Sequence, residues 1–455
     1  MYAKISNEIT IFDPTPEVVN WVKKHLEFSN PNYIKKQRMG FWVGGTPKTL
    51  RCFRVDGNKL VVPYGLIEQV TKWCDVTYEF TEHKKLKYFY FVNLYPYQRK
   101  AVTEMINRGF GILSSPAGSG KTQMGLAIAM QYQTPVLWLT HTHDLLNQSY
   151  ERAKQFCSER LLGTITEGLY KIGEAITFAT VQTLANGNLN LFKNRWDVIV
   201  VDECHRVATS DVSVTQMQKV LESLAAKHKF GLSATVHRAD GLIQTTFALL
   251  GDITYEVPES ECGNRIVKAN ILPRKTPIKL DFNFDDGYMN IDGTINFVGL
   301  ATYIATNKER NDFIVNDLKN CSDRYCLILS NRLEQLNYLK SHFSDNDSVL
   351  IDGKKNKEVR EKALQDLRDG KKHYLFATYK LAKEGLDIPR LDTLFLATPE
   401  KDYAIIVQSV GRVSRAFEGK EQPIVYDYID DTKIFVKYWS ARKSIYKKEG
   451  CCILE

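Results

Sequence analysis

The chain has no apolar run approaching the roughly 18 residues that a membrane-spanning helix needs, so no such helix is expected. Met1 to Asp13 lacks both a long apolar stretch and a small-residue cleavage site, and is expected not to be a secretory signal. The nine cysteines are odd in number and none sits at paired spacing. That argues against a disulfide framework or a zinc site, and for free thiols in a reducing cytoplasm. Cys452-Ile-Leu-Glu455 has the outline of a prenylation tail, but Glu is not a usual acceptor ending. Low-complexity tracts and short repeats are also missing. What remains, 455 residues with 44% apolar and 25% charged, suits two or three domains that each bury a core.

The net charge of +8 fits a polyanion partner without requiring one. Its distribution is uneven. Residues 1–90 hold 14 Lys/Arg against 9 Asp/Glu, five of the eight excess positive charges. Trp21, Phe41, Trp42, Phe53, Tyr64, Trp73, Tyr78 and Phe80 are interleaved with them. Aromatic rings among basic residues suit a nucleic-acid surface, although most of these rings also suit a small β-rich core. The segment reads as α+β. Tyr2 to Phe12 alternates like a strand, Val18 to Phe28 has helical spacing, and Leu50–Val55 and Lys59–Val62 flank a hairpin signal at Asp56-Gly57-Asn58. Gly40 to Pro47 reads as an exposed glycine-rich loop.

Beyond residue 88, apolar strand-like runs alternate with helical segments, twice over. The first set is 111–113, 136–139, 175–179, 198–201 and 229–232; the second is 325–329, 348–351, 374–377, 393–397 and 422–426. Continuous β-rich runs between helices predict parallel sheets covered on both faces. The expected organisation is an N-terminal α+β domain over 1–88 and two doubly wound α/β domains over 89–262 and 263–455. Residues 252–296 read as an interdomain connection plus a hairpin, and Lys433 to Lys448 as a basic amphipathic segment.

Two motifs carry chemistry. Ser115-Pro116-Ala117-Gly118-Ser119-Gly120-Lys121-Thr122 lies between a strand-like and a helical run, and reads as a phosphate-binding loop. Glycines there let backbone N–H groups converge on phosphate oxygens. Lys121 would reach the β/γ-phosphates and the Thr122 hydroxyl would hold Mg²⁺. Val198-Ile-Val-Val-Asp202-Glu203-Cys204-His205 is an apolar strand ending in two carboxylates. Asp202 would hold Mg²⁺, and Glu203 would orient and deprotonate a water. ATP and Mg²⁺ are the implied cofactors.

From about Leu94 to Arg415 the motifs, in their order, resemble those of superfamily-two helicases and translocases. The resemblance implies tandem RecA-like domains. It makes Gln98, in Tyr95-Pro-Tyr-Gln98, an adenine reader. It makes Thr140, His141, Gln182 and Thr183 nucleic-acid contacts of the first domain, and Ser330, Asn331 and Thr378 those of the second. Gly231-Leu-Ser-Ala-Thr235 would couple hydrolysis to strand movement. Gly385 and Asp387 would belong to the nucleotide site, with Asp387 meeting the ribose. Gln408-Ser-Val-Gly-Arg412-Val-Ser-Arg415 matches an arginine-finger motif, its Gln and Arg residues spaced to share one helical face. His205 would partner Gln408.

Three features lean towards DNA: the absence of an Asp-Glu-Ala-Asp box, Arg238-Ala-Asp240, and the basic aromatic domain in front. Arg238-Ala-Asp240 resembles an element of XPB-like translocases with Ala239 in place of Glu. Arg38-Met-Gly-Phe-Trp-Val-Gly-Gly-Thr-Pro-Lys48 and Val61-Val-Pro-Tyr-Gly65 are similar to segments of UvsW-type phage helicases. The implied activity is remodelling of branched or forked DNA with little sequence preference, by a monomer in the bacterial host cytoplasm with no membrane partner. A restriction-complex motor subunit and an RNA helicase stand as alternatives. A catalytically dead scaffold is disfavoured by the presence of Lys121, Asp202, Glu203 and Arg412.

Overall fold

The computed structural model describes residues 1–38, 40–205, 212–234, 243–265, 267–279, 295–352, 357–383, 386 and 388–454. The chain divides into two compact units, residues 1–116 with 120–262, and residues 263–455 with 117–119.

The first 78 residues build a five-stranded sheet in the order 54–56, 59–62, 9–12, 2–5, 75–78. The Tyr2–Phe12 run is two strands, not one. Ser6-Asn7-Glu8 turns the chain, with Ser6 N–H donating to the Glu8 carbonyl at 2.9 Å, so Tyr2–Ile5 pairs antiparallel with Ile9–Phe12. Ala3, Ile5, Ile9 and Ile11 then all face inward, fully buried. Helix Pro16–Leu26 is capped by the Thr15 hydroxyl and lays Val18, Val22 and Leu26 on that face. The hairpin at Gly57 (φ +59) forms as the sequence predicts, but Leu50–Val55 is split into Thr49–Arg51 and Arg54–Asp56. The core of this sheet is shared: Phe110 and Ala248, from the segment that follows, complete it.

An eight-stranded sheet follows, in the order 169–171, 162–166, 176–180, 136–140, 198–202, 228–233, 111–114, 253–256. Every pairing in it is parallel except the hairpin 162–166/169–171. The second unit holds a wholly parallel sheet in the order 348–351, 374–378, 326–330, 393–396, 424–431, 270–279, 452–453. Setting aside strand 169–171, and counting strands along the chain within each sheet, both read third, fourth, second, fifth, sixth, first, seventh. The two sheets are topological copies, tandem RecA-like layers with buried apolar strands.

The reading of 252–296 is corrected in part. Asn270–Lys279 is no hairpin arm but a ten-residue strand running parallel to Ile424–Asp431. Its Pro273 and Pro277 disguise it, and they are tolerated because its outer neighbour, Cys452–Ile453, covers only Asn270 and Ile271. The basic segment Lys433–Lys448 is a helix capped by Thr432. Its Arg442 is not on a solvated face: it is buried, with two hydrogen bonds to Asp427 at 2.8 and 2.6 Å.

Candidate functional site

In the first unit, the strands Gly111–Ser114, His228–Ser233 and Val198–Asp202 are neighbours. Their register sets Ser114 opposite Ser233 and Leu232 opposite Asp202. Three loops therefore leave the sheet at one edge, the carboxyl ends of parallel strands, where such folds bind ligands. The loop after Ser114 has Gly118 and Gly120 both at φ +87, a left-handed conformation that L side chains rarely adopt. Gly120 caps helix Lys121–Tyr132. A Cβ on Gly120 would lie 2.5 Å from Gln98 Nε2, so the loop closes directly onto that amide. The helix is held against the sheet at Gly125, where a Cβ would meet Leu232 at 2.4 Å.

Lys121 Nζ lies 4.0 Å from Glu203 Oε1, both side chains largely buried. Asp202 is 4% exposed and its Oδ1 accepts the Glu203 N–H at 3.0 Å. Glu203 itself stands at φ +52, one of three non-glycine residues with positive φ among the described residues. Such strain in a carboxylate at a strand end points to a functional constraint. His205 Nδ1 meets Ser233 Oγ at 2.9 Å and Glu203 Oε2 at 3.2 Å. Ser233 thus ties the Ser-Ala segment to the carboxylate box. Ser233 lies within a motif whose spacing does not point to this contact; only the register of the sheet reveals it. Cys204, between the carboxylate and the histidine, is core: burial first, then the nearby Glu203 and Asp202 carboxylates, push its thiol well up.

The donor set fits a magnesium nucleoside triphosphate. Left-handed glycines would turn backbone N–H groups towards phosphate, Lys121 would supply a cation, and the Thr122 hydroxyl and Asp202 carboxylate would offer hard oxygens to the metal. Mg²⁺, when bound, would neutralise phosphate charge. Gln98 is 1% exposed, and its Oε1 accepts the Tyr95 N–H at 3.0 Å, which caps its own helix and fixes the side chain. Adenine recognition by Gln98 would have to use what this cap leaves.

The nucleic-acid candidates fall into a repeated pattern. Thr140 and Thr180 end neighbouring strands and are register partners, and so are Ser330 and Thr378 in the second sheet. Both pairs lie on the second and fourth strands of their sheets. Thr180 caps the helix carrying Gln182 and Thr183, both half-buried, with its hydroxyl 2.8 Å from that of Thr183. Thr140 is fully buried, its hydroxyl donating to the Thr142 carbonyl, and His141 is 8% exposed. Ser330 is also buried, donating to Gln335 Oε1 at 2.7 Å, whereas Asn331 is exposed. The Thr378 hydroxyl accepts the Leu381 N–H at 3.3 Å.

In the arginine motif, helix Tyr403–Val413 ends before Arg415, with Ser414 as its cap. The expectation of one helical face is corrected: Gln408 and Arg412 share it, and Arg415 leaves it. Arg412 donates to the carbonyls of Ala382 (2.9 Å) and Leu386 (2.8 Å). Both amide atoms of Gln408 are buried without a hydrogen-bond partner among the described residues. Thr235, Arg238, Ala239, Asp240, Gly385 and Asp387 lie outside the described residues.

A duplicated parallel sheet, one copy carrying a phosphate loop and an Asp-Glu box and the other an arginine motif, defines a class of nucleotide-driven motor. The family description "Type III restriction enzyme, res subunit" matches residues 91–238, and "Helicase conserved C-terminal domain" matches 309–417, together over half of the chain. The chain belongs to the superfamily-two helicases. It is 27% identical to a protein of Acanthamoeba polyphaga mimivirus named as an ATP-dependent RNA helicase, over 77% of this chain and 66% of that one, just under two thirds of the relative's length. It is 26% identical to a helicase of Escherichia phage T5, over 74% and 72% of the two chains. A DNA 3′–5′ translocase of the XPB type from Sulfurisphaera tokodaii is 22% identical over 71% and 79%. In fold it is similar to a type ISP restriction-modification enzyme solved bound to DNA, with a TM-score of 0.56 and 15% identity, covering 83% of this chain and 32% of that one.

Proposed function

We propose that this protein is an ATP-dependent DNA helicase or translocase that remodels branched DNA: unwinding or reversing forks and migrating junctions. The observation that carries the motor reading is the duplicated sheet, in which the same two strand ends bear the nucleic-acid candidates in both copies. In this reading Lys121 holds the β/γ-phosphates, and Asp202 and Thr122 hold Mg²⁺. Glu203 positions and deprotonates the attacking water. Gln408, Arg412 and Arg415 complete the site from the second domain, so turnover follows its closure onto the first. Alternating grip by Gln182 and Thr183 in one domain, and Asn331 and Thr378 in the other, then moves the strand. These contacts address backbone, not bases, and give little sequence preference.

DNA as the substrate is supported by the basic aromatic domain over 1–88, proposed as a DNA-binding element, and by the naming of XPB-type relatives as DNA translocases and helicases. Branched DNA suits the build, since migration breaks and remakes equal numbers of base pairs and needs direction more than force. A monomer acting in the cytoplasm of a phage-infected host completes the proposal. RNA unwinding is the second reading, favoured by the name of the mimivirus relative. The test is ATP turnover with duplex DNA, forked DNA, four-way junctions and RNA. Branched DNA should stimulate most; stimulation by RNA but not by branched DNA would transfer the assignment to the second reading.

A further inference from the structure

From Ser29 to Val55 the chain carries six Lys/Arg and no Asp/Glu. It runs from helix Pro31–Arg38 to strands Thr49–Arg51 and Arg54–Asp56, and a loop between them is drawn closed at Asn30 and Lys48. At its base, buried Asn30 donates its backbone N–H to Lys48 O (3.0 Å) and its amide to Pro47 O (2.9 Å). Nearer the tip, Lys36 Nζ donates to the Thr46 hydroxyl at 2.8 Å, and Phe41 N–H to the Lys36 carbonyl at 2.9 Å. The tip carries the two most conspicuous rings of the domain, Phe41 at 64% and Trp42 at 81% exposed. The Trp42 indole lies across Gly44: a Cβ there would stand 2.2 Å from the ring, and one on Gly45 would stand 3.5 Å away. Two glycines therefore make a bed for one side of the indole, and the rest of it stays in water.

We infer that Trp42, with Phe41 beside it, is a stacking platform for an unpaired base of a nucleic acid whose phosphates are met by the surrounding Lys and Arg residues. A flat ring, seated in advance on glycine in a segment with basic and no acidic residues between Asn30 and Lys48, offers what single-stranded binding uses: a π-face plus a positive track. Arg51 and Arg54 are paired with Glu27 and Glu8, and the cations nearer the tip, Lys36, Arg38 and Lys48, suit a polyanion better than a protein surface of mixed charge. A membrane surface would find two rings but no aliphatic stripe. The inference deepens the proposed nucleic-acid role of residues 1–88 and rests on it.

The test compares the full chain with its Trp42→Ala and Trp42→Phe variants, by equilibrium binding without ATP. The probes are a labelled oligothymidylate and an abasic phosphodiester of the same length and charge. Trp42→Ala should weaken binding to the oligothymidylate about tenfold, the loss of one base–aromatic stack, and leave the abasic probe unchanged. Trp42→Phe should recover most of the loss. Gly44→Ala, which displaces the indole from its bed, should copy Trp42→Ala. Equal loss on both probes, or no loss on either, overturns the inference; the latter would direct the tip to a protein or lipid partner. None of these readings uses ATP turnover, so a failure of the motor assignment leaves the result interpretable.

Discussion

Glu203 carries the most informative conformation in the chain. A left-handed backbone at a non-glycine residue costs of the order of 1 kcal/mol and persists only where its surroundings impose it. Here the preceding Asp202 accepts its N–H, and Lys121 Nζ and His205 Nδ1 stand 4.0 and 3.2 Å from its two carboxylate oxygens. That arrangement aims the carboxylate at the phosphate loop. Replacing Glu203 by Gln keeps size, shape and one acceptor oxygen but removes the base. The expected outcome is nucleotide affinity within about twofold of the parent and turnover lower by at least about 10²-fold. Fluorescent-nucleotide binding and phosphate release measure the two separately, and turnover that survives the substitution would end the case for Glu203 as the base. Both motif carboxylates were legible in the sequence, because an apolar strand ending in Asp-Glu is a local pattern. The Ser233 contact and the strain were not, because they depend on which strand lies beside which.

The docking of the N-terminal sheet against the first RecA-like layer is an element-scale feature with its own chemistry. At this junction Lys229 is buried, its Nζ donating to Asn7 O (3.0 Å) and Leu221 O (2.7 Å) with the Tyr64 ring 4.9 Å away. A neutral amine has two hydrogens to donate, so both bonds survive loss of the charge. Burial pushes the Lys229 amine down to about 7, against the pull of Glu222 and Glu8, and burial raises Glu222 in turn. Glu8 is itself held by Arg54. The sign follows from linkage: between pH 7 and about 10 the unfolded chain keeps this proton and the folded chain has lost it. Stability therefore rises with pH across that window from this group, by up to about 1.4 kcal/mol per pH unit. Lys229→Met should flatten the rise, whatever it does to absolute stability, and denaturation midpoints from pH 7 to 10 for both proteins measure it. Parallel slopes would mean that Lys229 is charged in the folded chain. Helix and strand positions within this domain were legible where side chains alternate or recur with period; the two-strand split of Tyr2–Phe12 was not, because its turn, Ser6-Asn7-Glu8, lacks glycine and proline. Strand 270–279 was hidden by its prolines, and Arg415 was placed on a helix that Ser414 ends.

At the scale of the whole molecule, the proposed site draws one half from each copy of the duplicated sheet. The first sheet has the phosphate loop after its first strand and carboxylates after its fifth; the second has the same strand order, an arginine motif between its fifth and sixth strands, and Thr398 and Glu400 after its fifth. No sequence repeat marks this kinship, since the copies share order and burial rather than residues. If turnover needs both halves, a chain ending at residue 262 should separate binding from hydrolysis. It keeps the loop, Gln98, Asp202, Glu203 and the N-terminal sheet, whose core already includes Phe110 and Ala248 from the same unit. It loses Gln408, Arg412 and Arg415. Arginine supplied to a transferring phosphoryl group is worth about 10³–10⁵ in rate. The fragment should therefore bind nucleotide yet hydrolyse it at least about 10³-fold more slowly than the full chain, with no stimulation by any nucleic acid. Arg415→Ala in the full chain should approach the same basal rate while keeping nucleic-acid binding, which the fragment loses in part. Calorimetry and phosphate release on the two proteins measure this, and a fragment that turns over like the parent would confine the chemistry to the first sheet and leave the second without a catalytic share.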